Sequence, residues 1–146
     1  LTFSPEEQEI VAQKSLEETT KATLVLARRG QGLFRSRVQA IEASCRVTGV
    51  NSEKFLIASH IKPWKNSDNL ERLDGNNGLF LSPHVDRLFD GGFIGFEKTG
   101  EMLVSPQLDH SVLEKWGINP NKKYGKFNDD QAYFLEFHSK ELFKSI

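Results

Sequence analysis

The sequence predicts an α+β domain, and three observations predict it. Helix start signals and an imperfect apolar stripe occur near the N-terminus, and a terminal helix is read at the other end. In the middle, two short β-compatible runs bracket a polar loop, and a short helix with its own start and stop signals follows directly. Two further apolar runs then flank Lys98-Thr99-Gly100, a hairpin signal. The chain of 146 residues is long enough for one unit with a real core, so residues 1–146 are read as one domain.

The elements follow in order. Residues 5 to 28 read as a helix, with Ser4 as N-cap, Pro5 at the first helical position, and Glu6, Glu7 and Glu9 at the positive helix end. Its apolar positions, Ile10, Val11, Leu16, Leu24, Val25 and Leu26, form an imperfect stripe. Gly30 and Gly32 are expected to break this pattern, and a second helix is predicted over Leu33 to Ser44, with Phe34, Val38 and Ile41 at helical spacing. Cys45 to Gly49 reads as a short strand entering a turn. Phe55 to Ile61 is apolar and β-compatible, Pro63 ends it, and residues 65–76 read as a polar loop. Leu79 to Leu81 supplies the return strand. Ser82-Pro83 opens a short helix that Gly91-Gly92 closes. Phe93 to Phe96 and Met102 to Val104 form the hairpin arms. Residues 106–129 are loop-rich with one helical turn at Ser111 to Trp116, and Asp129 to Phe143 reads as a terminal helix.

Composition excludes several classes. A net charge of -1 gives no global nucleic-acid signal, so any DNA contact must come from a local basic patch. Cys45 is the only cysteine, which rules out an intramolecular disulfide and a cysteine-rich zinc site. A single thiol and the lack of a signal-like apolar segment favour a reducing, cytoplasmic setting. No window approaches the roughly 18 apolar residues of a membrane span. The chain begins on Leu1 rather than Met, which raises the expectation of a longer parent protein, with residues 1–28 as a linker to an upstream domain.

The chemistry concentrates between His60 and Asp90. At about 100° per residue, Val85, Leu88 and Phe89 share one face of the short helix. Asp86 and Asp90 lie side by side on one flank, His84 falls on the other, and Arg87 points farthest from the core. Like charges at this spacing repel, and a divalent cation reverses that sign. Carboxylate oxygens suit Mg²⁺, Mn²⁺ or Ca²⁺. Against this stands the plainer reading of a solvated acidic face. His60, at the end of an apolar run, reads either as a hydrogen-bonded structural residue or as a general base that is neutral near pH 7. Asn77 reads either as a turn residue or as an amide that bridges loop backbone.

These residues carry a resemblance. Ala58 to Trp64, with His60 and Pro63, then Asn77-Gly78-Leu79-Phe80-Leu81-Ser82, then Leu88-Phe89-Asp90 before two glycines, resemble the HNH endonuclease motif of the ββα-metal, or His-Me finger, nucleases. More narrowly, they resemble a bacterial restriction-type subgroup of that family. Arg29 to Arg35 resembles that subgroup's G-Q-x-x-F-R segment, and Cys45 to Gly49 its C-x-x-T-G segment. The likeness spans about residues 28 to 105 and implies a ββα-metal finger core over about 45–96, flanked by N- and C-terminal helices and a β-hairpin. It implies that His60 activates water, that Asn77 shapes the loop, and that Asp86 and Asp90 hold one divalent ion, Mg²⁺ or Mn²⁺. Asp86 stands where the family has its final histidine. Ser59 stands where many relatives carry a further ligand, which puts metal affinity in question.

The implied activity is hydrolysis of DNA phosphodiesters, as the cleavage domain of a restriction-type system. Arg29, Arg35, Arg37 and Lys62 are the candidate DNA contacts, weighed against ordinary surface charge. Double-stranded DNA is the expected partner, with a homodimer and a linked DNA-recognition domain as further expectations by analogy. Two other classes compete: a DNA-binding module that kept the finger and lost catalysis, and a nonspecific nuclease toxin domain.

Overall fold

The computed structural model describes residues 3–13 and 18–146. The first helix, α1 (Pro5–Ala12), starts as expected. The Ser4 hydroxyl accepts from the Glu7 N–H at 3.2 Å, and the Glu7 carboxylate accepts from the Ser4 N–H at 2.9 Å, a reciprocal cap. The second, α2 (Glu18–Ile41), corrects the sequence reading twice. Helix does not run unbroken over 5–28, and Gly30 and Gly32 do not end it. Each glycine costs a helix interior about 1 kcal/mol, and burial of Phe34 and Val38 one turn further on outweighs that. Of the expected N-terminal stripe, Val25 is buried while Val11 and Leu26 are exposed. Leu16 and the side chains of Ile10 and Leu24 lie outside the described residues.

Cys45 to Gly49 is a turn, not a strand. The Gly49 N–H reaches the Cys45 carbonyl at 2.8 Å, and the Cys45 N–H reaches the Val50 carbonyl at 2.9 Å. What holds this turn is a cation. The Arg46 guanidinium bonds both Glu42 oxygens, at 2.6 and 2.8 Å, lies 4.0 Å over the Phe127 ring, and donates to the Gly125 carbonyl at 2.8 Å. Gln131, itself buried, also donates to Glu42 at 3.1 Å. This network ties the end of α2 to the C-terminal part of the chain.

Strands β1 (Ile57–His60) and β2 (Gly78–Leu81) pair antiparallel, with Ser59 opposite Leu79 and His60 opposite Gly78. The polar stretch between them is more ordered than its composition suggests. It contains a short helix, α3 (Asn69–Leu73), started by a capping box in which Asp68 and Glu71 satisfy each other's backbone N–H. The acid-x-x-Glu spacing is legible in the sequence, but no apolar stripe accompanies it: Leu70 is 84% exposed.

Helix α4 (Pro83–Asp90) has the predicted bounds. Ser82 occupies the N-cap, yet its hydroxyl pairs with Thr48 at 2.7 Å instead of capping backbone. Gly92, at φ 77°, closes the helix: the Phe93 N–H bonds the Leu88 carbonyl at 2.8 Å and the Gly92 N–H bonds Phe89 at 3.1 Å. The second sheet is the predicted hairpin, β3 (Ile94–Phe96) with β4 (Met102–Val104). Two helices complete the chain, α5 (His110–Lys115) and α6 (Asp129–Phe137). The last continues as one π-type turn over His138–Leu142, where the sequence reading expected regular helix. There the His138 ring stacks on Phe89 at 4.0 Å and bonds the Phe89 carbonyl at 2.8 Å. Among the described residues, no helix is long and apolar enough to cross a membrane.

The core gathers around β2, α4 and β3, with Phe80, Phe89, Phe96 and Phe127 among its largest members. Helix α2 lies directly on β2 and on the turn before it, and two glycines permit this. A Cβ at Gly78 would stand 2.4 Å from Val38 Cγ2 and 2.7 Å from Phe34 Cζ, and one at Gly75 would stand 2.7 Å from the Arg37 backbone. A Gly78→Ala variant is expected to lose roughly 1–3 kcal/mol of stability through overpacking. Adding Val38→Ala returns part of that loss. Urea denaturation of the two variants measures both effects.

Candidate active site

One property of a strand organises the site. Successive side chains of β1 point to opposite faces. Ser59 therefore faces α4, and His60 faces α2.

On the α4 face, Ser59 is buried and its hydroxyl lies near enough to the Asp86 carboxyl to stabilise its charge. Burial pushes the Asp86 pKa up, the nearby Ser59 hydroxyl opposes this, and the charge of Asp90 one turn away raises it further. Asp90 is the last residue of α4, where the helix dipole disfavours a carboxylate. Neither aspartate forms an ion pair among the described residues. The result is two adjacent carboxylates and a hydroxyl without a counter-charge. That donor set fits a hard divalent ion, which Mg²⁺-type sites commonly hold with one or two carboxylates plus water. No group of three or more His, Cys, Asp or Glu side chains suited to a metal occurs among the described residues, so His60 does not join the pair. His84 stands apart, edge-on to Trp116 at 5.6 Å, in keeping with its opposite flank.

On the α2 face, the His60 ring stacks on Phe34, with centroids 3.6 Å apart and planes 5° apart, and meets Trp64 edge-on. Its Nε2 lies 3.0 Å from the Arg72 carbonyl oxygen. A carbonyl only accepts, so Nε2 carries the proton and Nδ1 keeps its lone pair. Burial holds the His60 pKa below the usual histidine value, the Arg72 carbonyl opposes this, and the Arg72 charge adds to the lowering. His60 also borders an open cavity of about 580 Å³ between α2 and β1.

Asn77 joins the two halves. It is fully buried, and its Oδ1 accepts from the Lys62 N–H at 2.8 Å. Its Nδ2 donates to the carbonyls of Glu71 at 3.1 Å and Lys62 at 3.3 Å, and to the Ser67 hydroxyl at 3.4 Å. The side chain thus cross-links the exit of β1 to α3, the helix that supplies the Arg72 carbonyl to His60.

The four basic candidates all have internal partners. Arg29 pairs with Glu7 at 2.8 Å. Arg35 donates to the carbonyls of Leu56 at 2.9 Å and Glu53 at 2.5 Å, and lies 4.8 Å over Phe80. Arg37 donates to the Leu73 carbonyl at 2.9 Å. Lys62 is chelated by both Glu71 oxygens, at 3.0 and 2.9 Å, and that carboxylate raises its pKa. Sequence reasoning missed Phe34 and Arg72 as the residues that set His60. Neither has a local signal, because their roles arise only where distant segments meet.

Removing the Asn77 amide leaves partly buried backbone groups of Lys62 and Glu71 without that partner. An Asn77→Ala variant is expected to lose roughly 1–3 kcal/mol in a denaturant titration.

Residues 45–97, from the Cys45 turn through β1, the Asn77 loop and α4 to β3, match the model of a family described as HNH endonuclease. A search of curated proteins found no match to the chain.

Proposed function

Because residues 45–97 are an HNH endonuclease domain, we propose that the protein is a metal-dependent DNA endonuclease with His60 as general base and Asp86 and Asp90 as metal ligands. The observation that carries this reading is the division across β1, where neighbouring residues serve a base on one face and an unbalanced carboxylate pair on the other. Mg²⁺ or Mn²⁺ held by Asp86 and Asp90, when bound, supplies positive charge for the phosphate oxygens. His60 Nδ1 accepts a proton from water as the water oxygen bonds to phosphorus. The P–O3′ bond breaks, the departing oxygen is protonated, and a 5′-phosphate remains. Asn77 acts as a positioning residue, through α3 and the Arg72 carbonyl. Ser59 offers a neutral hydroxyl beside the ion, which favours weak metal affinity.

The reading extends to the whole chain: residues 1–146 as one nuclease domain, acting on double-stranded DNA in a restriction-type system inside the cell. Target choice would fall to a linked recognition domain, and cleavage of both strands to a homodimer. Arg29 is paired with the buried Glu7 carboxylate, so its release to a phosphate would strand a buried charge. Arg35, Arg37 and Lys62 contribute fixed positive charge near the strand rather than free donors.

Plasmid nicking with Mn²⁺ or Mg²⁺, and none in EDTA, is the expected result for the wild type. His60→Ala is expected to lose about 10²- to 10⁴-fold in rate; full activity in that variant sinks the mechanism. Neutral His60 is the active form and its pKa is lowered, so kcat/KM is expected to rise with pH through a value below 6.5. A rise centred above 6.5 contradicts the assignment.

Asp86→Asn relieves the repulsion with Asp90. Metal-free stability at pH 7 is expected to rise by roughly 0.2–0.5 kcal/mol, while Mn²⁺ binding, followed by calorimetry, is lost. Unchanged Mn²⁺ affinity rules out this ligand set.

A further inference from the structure

Gly32 lies in the interior of α2, where glycine is less favourable than alanine. Nothing in the fold asks for it. A Cβ there meets no atom within 4 Å, and its φ is not positive. The contrast with Gly75 and Gly78, where a Cβ would collide with α2, is direct. A helix glycine that faces open space leaves room for something to lie against the backbone, and close approach to a ligand is one of the few uses of such a residue.

That space is the cavity of about 580 Å³ between α2 and β1. Gly32 borders it together with Arg28, Gln31, Arg35, His60 and Trp64. The lining has the chemistry of a nucleotide site. Among the described residues, Arg28 is held by a solvent-facing ion pair to Glu6 at 2.9 Å, a weak bond that a phosphate can displace. Arg35 keeps its charge fixed against the Glu53 and Leu56 carbonyls. Gln31 is exposed and offers both a donor and an acceptor, and Trp64, 40% exposed, adds an aromatic wall. His60 stands at the same cavity.

We propose that this cavity receives a nucleotide of the DNA strand being cut, adjacent to the scissile phosphate, and that Gly32 is where the α2 backbone lies against it. This rests on the endonuclease reading and adds the direction of approach: the strand comes to His60 from the α2 side.

The test fills the cavity. DNA affinity is measured by anisotropy with a short fluorescein-labelled duplex in EDTA, so that cleavage plays no part. Gly32→Phe is expected to weaken binding about tenfold or more, with a melting temperature equal to or above wild type. Gly30→Ala, which sits outside the cavity lining in the same helix, is expected to bind as wild type. Should Gly32→Phe not fold, Gly32→Cys serves instead, since the natural thiol, Cys45, is fully buried. Its alkylation by N-ethylmaleimide is expected to weaken DNA binding, and bound duplex is expected to slow the alkylation. Wild-type affinity in Gly32→Phe or in alkylated Gly32→Cys, or alkylation that duplex does not slow, overturns the proposal. A wild type that binds duplex yet nicks nothing with Mn²⁺ or Mg²⁺ fails the endonuclease reading alone, because the binding arms still decide the cavity.

Discussion

The buried carboxamide of Asn77 is the constraint on which the rest of the finger depends. After Ile61 the chain leaves the sheet, crosses a polar stretch and returns at Gly78. That stretch contributes no fully buried large apolar side chain, and α3 is far too short to be stable alone. What fixes it is one side chain that saturates backbone on both arms of the excursion, at Lys62 and at Glu71. The Lys62–Glu71 ion pair lies between the same two segments and reinforces the link. Because α3 is held there, the Arg72 carbonyl reaches His60 and sets its tautomer.

A second constraint is that one short strand serves two helices. Helix α2 approaches the sheet at van der Waals distance through Gly75 and Gly78, and this brings Phe34 flat against His60. The same closeness desolvates the imidazole and keeps it neutral. On the other face, α4 presents Asp86 beneath Ser59 while Val85, Leu88 and Phe89 anchor it in the core. That apolar stripe fixes the rotation of α4, which leaves Asp86 half-buried and Asp90 exposed on one flank. The repulsion remains in the folded chain, and it makes the pair receptive to a cation.

Charge outside the site is largely used to close the fold. Arg46 clamps the C-terminal loop, and Arg35 and Arg37 cap backbone carbonyls at the two ends of the finger. Arginine suits this work, since its planar fork satisfies two acceptors at once. The cluster that reads as a basic patch along the sequence is therefore divided among separate structural contacts. Of the two arginines that border the α2 cavity, Arg35 is bound to backbone carbonyls and Arg28 is held by an exposed ion pair.

The sequence by itself determined the α4 helix to the residue, the two strand pairs to within two residues, and the flank shared by Asp86 and Asp90. Each of these follows from local rules: apolar spacing, turn residues and helix stop signals act within a few residues. It misread Gly30 and Gly32 as breakers and Cys45 to Gly49 as a strand, and it overlooked α3. In each case long-range contacts prevailed: burial of Phe34 and Val38 carries α2 through its glycines, Arg46 pins the turn, and Asn77 holds α3 in place. Only the tertiary structure decided that His60 and the aspartates lie on opposite faces of β1, which ring buries the histidine, and which arginines are already engaged. Those facts depend on segments far apart in the chain, such as Phe34 with His60 and Arg46 with Phe127, and no local spacing encodes them.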